Sequence, residues 1–186
     1  MTSTYQPTST AAARSAISPD RRPLLLLLSA LVIALDQITK LLITRHVHAG
    51  QPITVIPGIF RITHVLNTGA AFSFLEESTH PDAVRYGLIA FSILAATIVA
   101  GMIWRSGRGL TLTGIALALI LGGALGNLYD RVVRHFVIDF LEVHIVRYHW
   151  PDFNVADSAI CIGAGLLILE IFRPQTAEHA ALPPSS

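Results

Sequence analysis

Four apolar stretches divide the chain, and each is about as long as a membrane-spanning helix. A transmembrane helix needs about 20 mainly apolar residues to cross the hydrocarbon core of a bilayer. The stretches that meet this length are residues 23–43, 86–104, 110–128 and 155–172. The pattern therefore predicts a membrane α-helical protein with four transmembrane helices.

The first stretch has a second interpretation, as a cleaved secretory signal peptide. Arg21 and Arg22 precede its run of leucines, as charged residues do in signal peptides. The apolar run resumes after Lys40, however, and three further apolar stretches follow. A retained first helix is the favoured interpretation.

The two long connections between the stretches carry a different pattern. Their segments "GIFRITHVLN" (58–67) and "FVIDFLEVHIV" (136–146) are rich in β-branched and aromatic residues and partly alternate between apolar and polar positions. Such segments favour β-strands. We expect them to pair into a small extracytoplasmic β-sheet.

The composition supports a membrane protein. Apolar residues make up 52% of the chain and charged residues only 13%, whereas soluble domains carry about 25% charged residues. The basic residues form no block, so nucleic acid is not an expected partner. The single cysteine, Cys161, cannot form an intrachain disulfide.

The basic residues also predict the orientation, because they accumulate on the cytoplasmic side of membrane proteins. They precede the first stretch, lie between the second and third, and follow the fourth: Arg14, Arg21, Arg22, Arg105, Arg108 and Arg173. We expect both termini inside the cell and both long connections outside. A membrane domain at 23–173 would then lie between mobile cytoplasmic tails at 1–22 and 174–186, which are rich in small and polar residues.

Polar residues gather near one end of the apolar stretches. At 1.5 Å per residue, Asp36 and Lys40 lie about 18 and 24 Å along the first stretch, and Asn127 about 26 Å along the third. Asn154 and Asp157 begin the fourth stretch. The expected orientation puts all of them in one layer near the outer face of the membrane.

Two charge pairs and a glycine pair have structural interpretations. Asp36 and Lys40 are four residues apart with the acid first, the favourable order for an ion pair in a helix. Asp130 and its neighbour Arg131 are expected to form an interfacial ion pair. The GxxxG pair at residues 122 and 126 predicts close approach of another helix.

Asp157 has two interpretations that the residues alone leave open. With Asn154 as the N-cap, Asp157 completes a capping box that satisfies free N–H groups at the start of a helix. Alternatively, it faces Asp139 of the strand-like segment, which by itself is an ordinary strand carboxylate. Two close carboxyl groups can share a proton, supply an acid and a base, and activate water against an amide.

Other catalytic patterns are weaker. The sequence has no HExxH zinc motif, and His46 and His48 have no obvious third ligand. A Ser–Lys mechanism would need Lys40, which already has Asp36 as a partner. The other histidines of the long connections are interpreted as surface or interfacial groups: His64, His135, His144 and His149.

Five motifs resemble those of the bacterial lipoprotein signal peptidases, the signal peptidase II family. They are "LDQITK", "NTGAAFSF", "GGALGNLYDR", "VIDF" and "FNVADSAI", in this order, and the resemblance covers about residues 23–173. It implies an aspartic endopeptidase of the bacterial inner membrane, with its active site at the outer face. Such an enzyme cuts the signal peptide from a prolipoprotein just before a cysteine that already carries diacylglycerol.

The resemblance also implies roles for individual residues. Asp139 and Asp157 fall on the catalytic aspartates of the family. Substrate-binding or supporting roles fall on Asn67, Asn127, Arg131, Asn154, Asp36, Lys40 and Asp130. Phe72 and Phe74 either line the substrate path or simply pack.

The implied partners are diacylglyceryl-modified prolipoproteins, membrane lipid and the antibiotic globomycin, which looks like a mimic of the bound substrate. No metal or organic cofactor is implied. Two other classes of function compete with this interpretation. A small transporter or channel would use the buried charges to line a pathway, and a scaffold protein would need no catalytic residues.

Reporter fusions test the expected orientation. Fusions at Gly107 and after Arg173 should report the cytoplasm, and fusions at Glu77 and His144 should report the outside, because arginines mark the inner segments. A cytoplasmic signal at Glu77 would contradict this orientation, since it would place both aspartates on the inner side.

Overall fold

The computed structural model describes residues 20–69, 81–106, 109–145 and 148–173. Its elements in chain order are α1 (Arg22–His46), β1 (Ile53–Ile56), β2 (Phe60–Asn67), α2 (Pro81–Ser106), α3 (Leu112–Val133), β3 (Val137–Ile145), β4 (Tyr148–Phe153) and α4 (Val155–Ile171). Phe72, Phe74 and nearly all of the two predicted tails lie outside the described residues.

Three of the described helices, α1, α2 and α3, are long and apolar enough to cross a membrane. The fourth predicted span corresponds to α4, which has 17 residues and is therefore about 26 Å long. Large apolar side chains such as Leu31, Phe91 and Leu169 are more than half exposed, as expected for side chains that face lipid. These helices agree with a membrane protein.

Helix α3 lies at the centre of the bundle and packs against the other three helices. Its buried apolar side chains join those of α1 and α2 in a core near the start of α3: Leu25, Ala96, Ile103, Leu117, Ala118 and Leu121. Polar residues replace this core at the other end of α3, where the buried side chains include Asn127 and Asp130. We call this second end of the bundle the sheet end, because the β-strands begin there.

Glycines let the helices approach α3 closely on two sides. A Cβ atom on Gly122 would lie 2.8 Å from the carbonyl oxygen of Ser29 in α1. A Cβ atom on Gly123 would lie 2.3 Å from the carbonyl oxygen of Ala156 in α4. The close approach predicted by the GxxxG pair is confirmed, and the neighbouring Gly123 extends it to α4.

The prediction of a small β-sheet is confirmed. Its strand order is β1-β2-β3-β4, with every neighbouring pair antiparallel. His135 has a φ of 70°, a left-handed conformation that often ends a helix, and β3 begins two residues later. The chain thus turns directly from α3 into the strand that carries Asp139.

The helix packing predicts that one glycine substitution destabilises the protein and that a second one does not. Gly123→Ala should lower the melting temperature of the detergent-solubilised protein, because overpacking a close contact typically costs about 1–3 kcal/mol. Gly165→Ala is the matched control, because a Cβ atom there meets nothing within 4 Å. A Gly123→Ala protein that melts at the wild-type temperature would contradict the close α3–α4 contact.

Candidate active site

Two carboxyl groups from different elements meet at the sheet end. Asp139 is contributed by β3 and Asp157 by the first turn of α4. Asn154 contacts both of them: its side-chain Nδ2 donates to Oδ1 of Asp139 at 2.7 Å, and its backbone N–H donates to Oδ2 of Asp157 at 3.2 Å. One residue therefore holds the two carboxyl groups next to each other.

Asn154 also caps α4. Its side-chain Oδ1 accepts a hydrogen bond from the backbone N–H of Asp157 at 3.0 Å, which completes the capping box. The predicted capping box is confirmed. It does not exclude the carboxylate pair, because the cap occupies Oδ2 of Asp157 and leaves Oδ1 for another partner.

Two further asparagines donate to the carboxyl groups. Asn67 Nδ2 donates to Oδ2 of Asp139 at 2.8 Å, and Asn127 Nδ2 donates to Oδ1 of Asp157 at 2.8 Å. Each amide oxygen accepts a bond from a group that can only donate, namely the backbone N–H of Gly69 at 2.8 Å and the Lys40 ammonium at 3.1 Å. These donors fix the orientation of both amides, so that each NH₂ group points at a carboxyl group.

The carboxyl group of Asp139 lies in a poor solvent for charge, because Asp139 is only 2% exposed. Its pKa is raised from 3.8 to about 6 in total: burial is the largest cause, the hydrogen bond from Asn67 opposes it, and the negative charge of Asp157 adds to it. Asp139 therefore keeps a proton at pH values at which an ordinary aspartate has lost it.

A cluster of buried charges is linked to the two carboxyl groups through Asn127. The Lys40 ammonium lies 2.8 Å from Oδ2 of Asp36 and 2.7 Å from Oδ2 of Asp130, and all three side chains are fully buried. The other carboxylate oxygen of Asp36 accepts the N–H of Ala156 in α4 at 3.0 Å. The predicted Asp36–Lys40 pair thus joins α1, α3 and α4.

The predicted ion pair between Asp130 and Arg131 is wrong. Adjacent residues on a helix point in different directions, whereas residues four apart share a face. Within the described residues, Asp130 pairs with Lys40 and with Arg134, four positions further along α3. Arg131 instead donates to the backbone carbonyl of Asn127 at 3.3 Å.

All nine predicted site residues belong to one hydrogen-bonded network at the sheet end. Sequence reasoning missed two further members, Gln37 and Arg134. Gln37 donates to both Asp36 and Asp130 and accepts from Arg134 at 2.7 Å. The i, i+4 spacing of Asp130 and Arg134 was the available signal for the second one.

Fold and site together are those of a membrane protein with a site suited to acid–base chemistry. Apolar helices enclose a buried polar network. This network holds two neighbouring carboxyl groups, and the pKa of the Asp139 carboxyl group is raised. Such an arrangement suits acid–base chemistry within a membrane protein.

Comparisons with known proteins place the chain within this class. It is 45% identical to the lipoprotein signal peptidase of Pseudomonas aeruginosa over 155 residues, which cover 83% of this chain and 90% of the relative. It is 46% identical to the lipoprotein signal peptidase of Pseudomonas putida over 152 residues, which cover 81% of this chain and 88% of the relative. The model of the signal peptidase (SPase) II family matches residues 28–173. The chain belongs to the signal peptidase II family.

Solved structures agree with this assignment. A bacterial membrane enzyme solved by the in meso method at 2.3 Å superimposes with a TM-score of 0.73 at 27% identity, covering 87% of this chain and 95% of that one. A second such enzyme, solved at 1.9 Å, gives 0.72 at 29% identity, covering 82% and 95%. The alternative of a transporter or channel finds no support in these comparisons.

The buried charge cluster predicts a stability effect for Lys40. Lys40→Met should lower the melting temperature strongly, because removing one partner of a buried ion pair costs about 3–5 kcal/mol. The double variant Asp36→Asn/Lys40→Met is the matched control: it also removes one negative charge and keeps an acceptor for the N–H of Ala156. It should melt above the Lys40→Met protein. A Lys40→Met protein with wild-type stability would contradict the cluster.

The raised pKa of Asp139 predicts how stability depends on pH. Between about pH 4 and pH 6 the folded protein keeps a proton that the unfolded chain has lost. Stability should therefore fall across this range by up to about 3 kcal/mol. Asp139→Asn removes the titrating group, so the melting temperature of this variant relative to wild type should rise from pH 4 to pH 7. Parallel melting profiles for the two proteins would contradict the assignment.

Proposed function

We propose that the chain is an aspartic endopeptidase that removes signal peptides from diacylglyceryl-modified prolipoproteins. Membership of the signal peptidase II family supports this proposal, as do relatives that are themselves lipoprotein signal peptidases. The observation that carries the aspartic mechanism is the bridge formed by Asn154, which binds Asp139 and Asp157 at the same time. No metal or organic cofactor takes part in the proposed cleavage.

The two carboxyl groups start the reaction in different protonation states. We assign the proton to Asp139, whose pKa is raised to about 6, mainly by burial. Asp157 lies in the first turn of α4, where the positive end of the helix dipole favours a negative charge by about 0.3–1 kcal/mol. The pair titrates as a unit, and this assignment describes its dominant form.

In the first step, Asp157 takes a proton from a water molecule whose oxygen attacks the carbonyl carbon of the scissile amide. Asp139 donates its proton to the carbonyl oxygen, and a tetrahedral diol forms. In the second step, the bond to the nitrogen breaks, Asp157 donates its proton to the leaving amine, and Asp139 takes a proton back from a diol hydroxyl. Each carboxyl group ends in its starting state.

The asparagines keep the carboxyl groups in place through both steps. The side-chain NH₂ groups of Asn67, Asn127 and Asn154 each donate a hydrogen bond to one of the two carboxyl groups. Their amide oxygens accept hydrogen bonds from other groups. An amide has no ionisable proton to lose near neutral pH, so these residues orient the pair without competing for its proton. Asp36, Lys40 and Asp130 support the site by orienting Asn127 and the start of α4.

The membrane arrangement follows from the position of the site along the helices. In this proposal all four helices span the inner membrane of a bacterium, both termini are cytoplasmic, and the sheet end lies at the outer face. The 17 residues of α4 lie at the lower end of the range of about 17–25 residues for a spanning helix. A signal peptide is an apolar helix, which can approach such a site from within the lipid.

The sheet offers a surface for the lipid part of the substrate. Side chains alternate between the two faces of a strand, so Leu141 and Val143 share a face with Asp139. Their strand partners are Ile62 and Phe60 in β2. This apolar surface beside the carboxyl pair suits acyl chains, and we propose that globomycin occupies the same surface as a substrate mimic.

Cleavage of a lipid-modified substrate tests the proposal. The purified protein in detergent is incubated with a diacylglyceryl-modified prolipoprotein and, separately, with the unmodified form. Cleavage of the modified form alone is expected. Failure to cleave either form would overturn the proposed activity.

Asparagine substitutions test the carboxylate pair. Asp139→Asn and Asp157→Asn should each fold and yet lower cleavage by at least about 10²–10⁴-fold, the usual contribution of general acid–base catalysis. The double variant should be scarcely worse than either single one, because the two groups act as a unit. Asp152→Asn is the matched control: Asp152 lies in β4 and bonds Thr63, so its loss should leave cleavage near the wild-type rate. Substantial turnover by either folded single variant would return Asp157 to a purely capping role.

A further inference from the structure

Three potential metal ligands converge on the face of the sheet opposite Asp139. Glu142 and His144 lie at even positions of β3, and Asp139 lies at an odd position, so their side chains leave opposite faces of the strand. His149 in β4 is the direct register partner of His144. Directly opposite residues in antiparallel strands have Cβ atoms about 4.5–5.5 Å apart, so the sheet itself brings the two imidazoles together.

The potential ligand atoms of these three residues lie close to one another. Oε1 of Glu142 lies 2.7 Å from Nε2 of His149 and 3.1 Å from Nε2 of His144. The three ligand atoms all lie within 4.8 Å of one another, and the two imidazole rings are 4.9 Å apart between centroids.

The Nε2 atom of His144 gives a second and independent indication. It is buried, and among the described residues no group forms a hydrogen bond of good geometry with it, despite its short distance to Oε1 of Glu142. Leaving a buried polar atom without a partner is unfavourable. An ion between the three side chains would supply the missing partner.

We propose that Glu142, His144 and His149 bind a zinc ion at a site separate from the carboxylate pair. Two imidazoles, one carboxylate and a water molecule form a known tetrahedral zinc environment, with bonds of about 2.0–2.2 Å. In such a tetrahedron the ligand atoms lie about 3.3 Å apart. The two distances from Glu142 to the histidines, 2.7 and 3.1 Å, lie near this value, and all three separations stay within 4.8 Å.

Arg61 supports the carboxylate ligand from the neighbouring strand. It lies directly opposite Glu142, and its Nε and Nη2 donate to the two carboxylate oxygens at 2.5 Å each. These two bonds orient the carboxylate. The positive charge of Arg61 also opposes a cation, and we therefore expect micromolar affinity rather than the tighter binding of sites without a neighbouring cation.

The site has a structural consequence for the sheet. Its ligands come from both β3 and β4, so an ion there would tie the two strands together on the face away from the carboxylate pair. β3 also carries Asp139, and the ion would thus stabilise the strand that supplies a carboxyl group to the proposed active site.

Zinc titration of the full-length protein tests the site. The protein is purified in detergent with an affinity tag that contains no histidine, treated with a chelator, and titrated with Zn²⁺ against a fluorescent indicator. We expect one zinc ion per chain with micromolar affinity, and a higher melting temperature when zinc is present. The absence of stoichiometric binding would overturn the proposal.

Paired histidine substitutions locate the bound ion. His144→Ala/His149→Ala should weaken zinc binding at least tenfold and abolish the rise in melting temperature. His46→Ala/His48→Ala is the matched control, because it removes two other histidines and should bind zinc like the wild type. If the first double variant fails to fold, His149→Gln is used instead, because the His149 side chain is half-exposed. This single variant should weaken zinc binding tenfold. Wild-type affinity in the folded His144 or His149 variants would overturn the assignment.

Discussion

The Lys40 ammonium between Asp36 and Asp130 is the interaction on which the rest of the structure depends. A charged group in the interior of a membrane protein is costly and persists only with partners. Lys40 has partners on two helices, and Asp36 bonds the first turn of a third one. The same ammonium fixes the amide of Asn127, which in turn holds Asp157. The Lys40 ammonium thus helps to hold the helices together and also helps to orient Asp157, a proposed catalytic group.

Asn67, Asn127 and Asn154 orient the two proposed catalytic carboxyl groups. They surround two carboxyl groups with donors that cannot exchange protons near neutral pH, while burial keeps Asp139 protonated beyond its ordinary range. Because the Asp139 carboxyl group is held in this environment, the free energy of unfolding falls as the pH rises from about 4 to about 6. The same carboxyl group supplies the proton that the proposed acid–base mechanism needs. Gly123 also helps to position Asp157, because it lets the start of α4 lie directly against α3.

Features set by local spacing could be predicted from the sequence. The Asp36–Lys40 pair, the GxxxG contact and the capping box at Asn154 each depend on residues within one helix or one turn. Features that depend on which strands pair, and in which register, could not be predicted. The bond between Asn67 and Asp139 joins residues 72 positions apart, and the resemblance indicated only a substrate-binding or supporting role for Asn67. The convergence of Glu142, His144 and His149 depends on the β3–β4 register, so these residues look like separate surface groups in the sequence.

Asp130 shows why neighbours in sequence mislead. Within the described residues it forms no ion pair with the adjacent Arg131, and its partners are Lys40 on another helix and Arg134 one turn further on. A charge pair read from sequence is therefore more reliable at a spacing of four residues than between adjacent ones, because only the former shares a helix face.

The central claim is that Asp139 and Asp157 hold the attacking water between them. A structure with a peptide-like inhibitor, in which a secondary alcohol replaces the scissile amide, tests this claim most directly. The alcohol oxygen stands in for the attacking water. Our account predicts that it lies within hydrogen-bonding distance of both carboxyl groups. An alcohol bound away from both Asp139 and Asp157, in an inhibitor that otherwise occupies the site, would contradict the account.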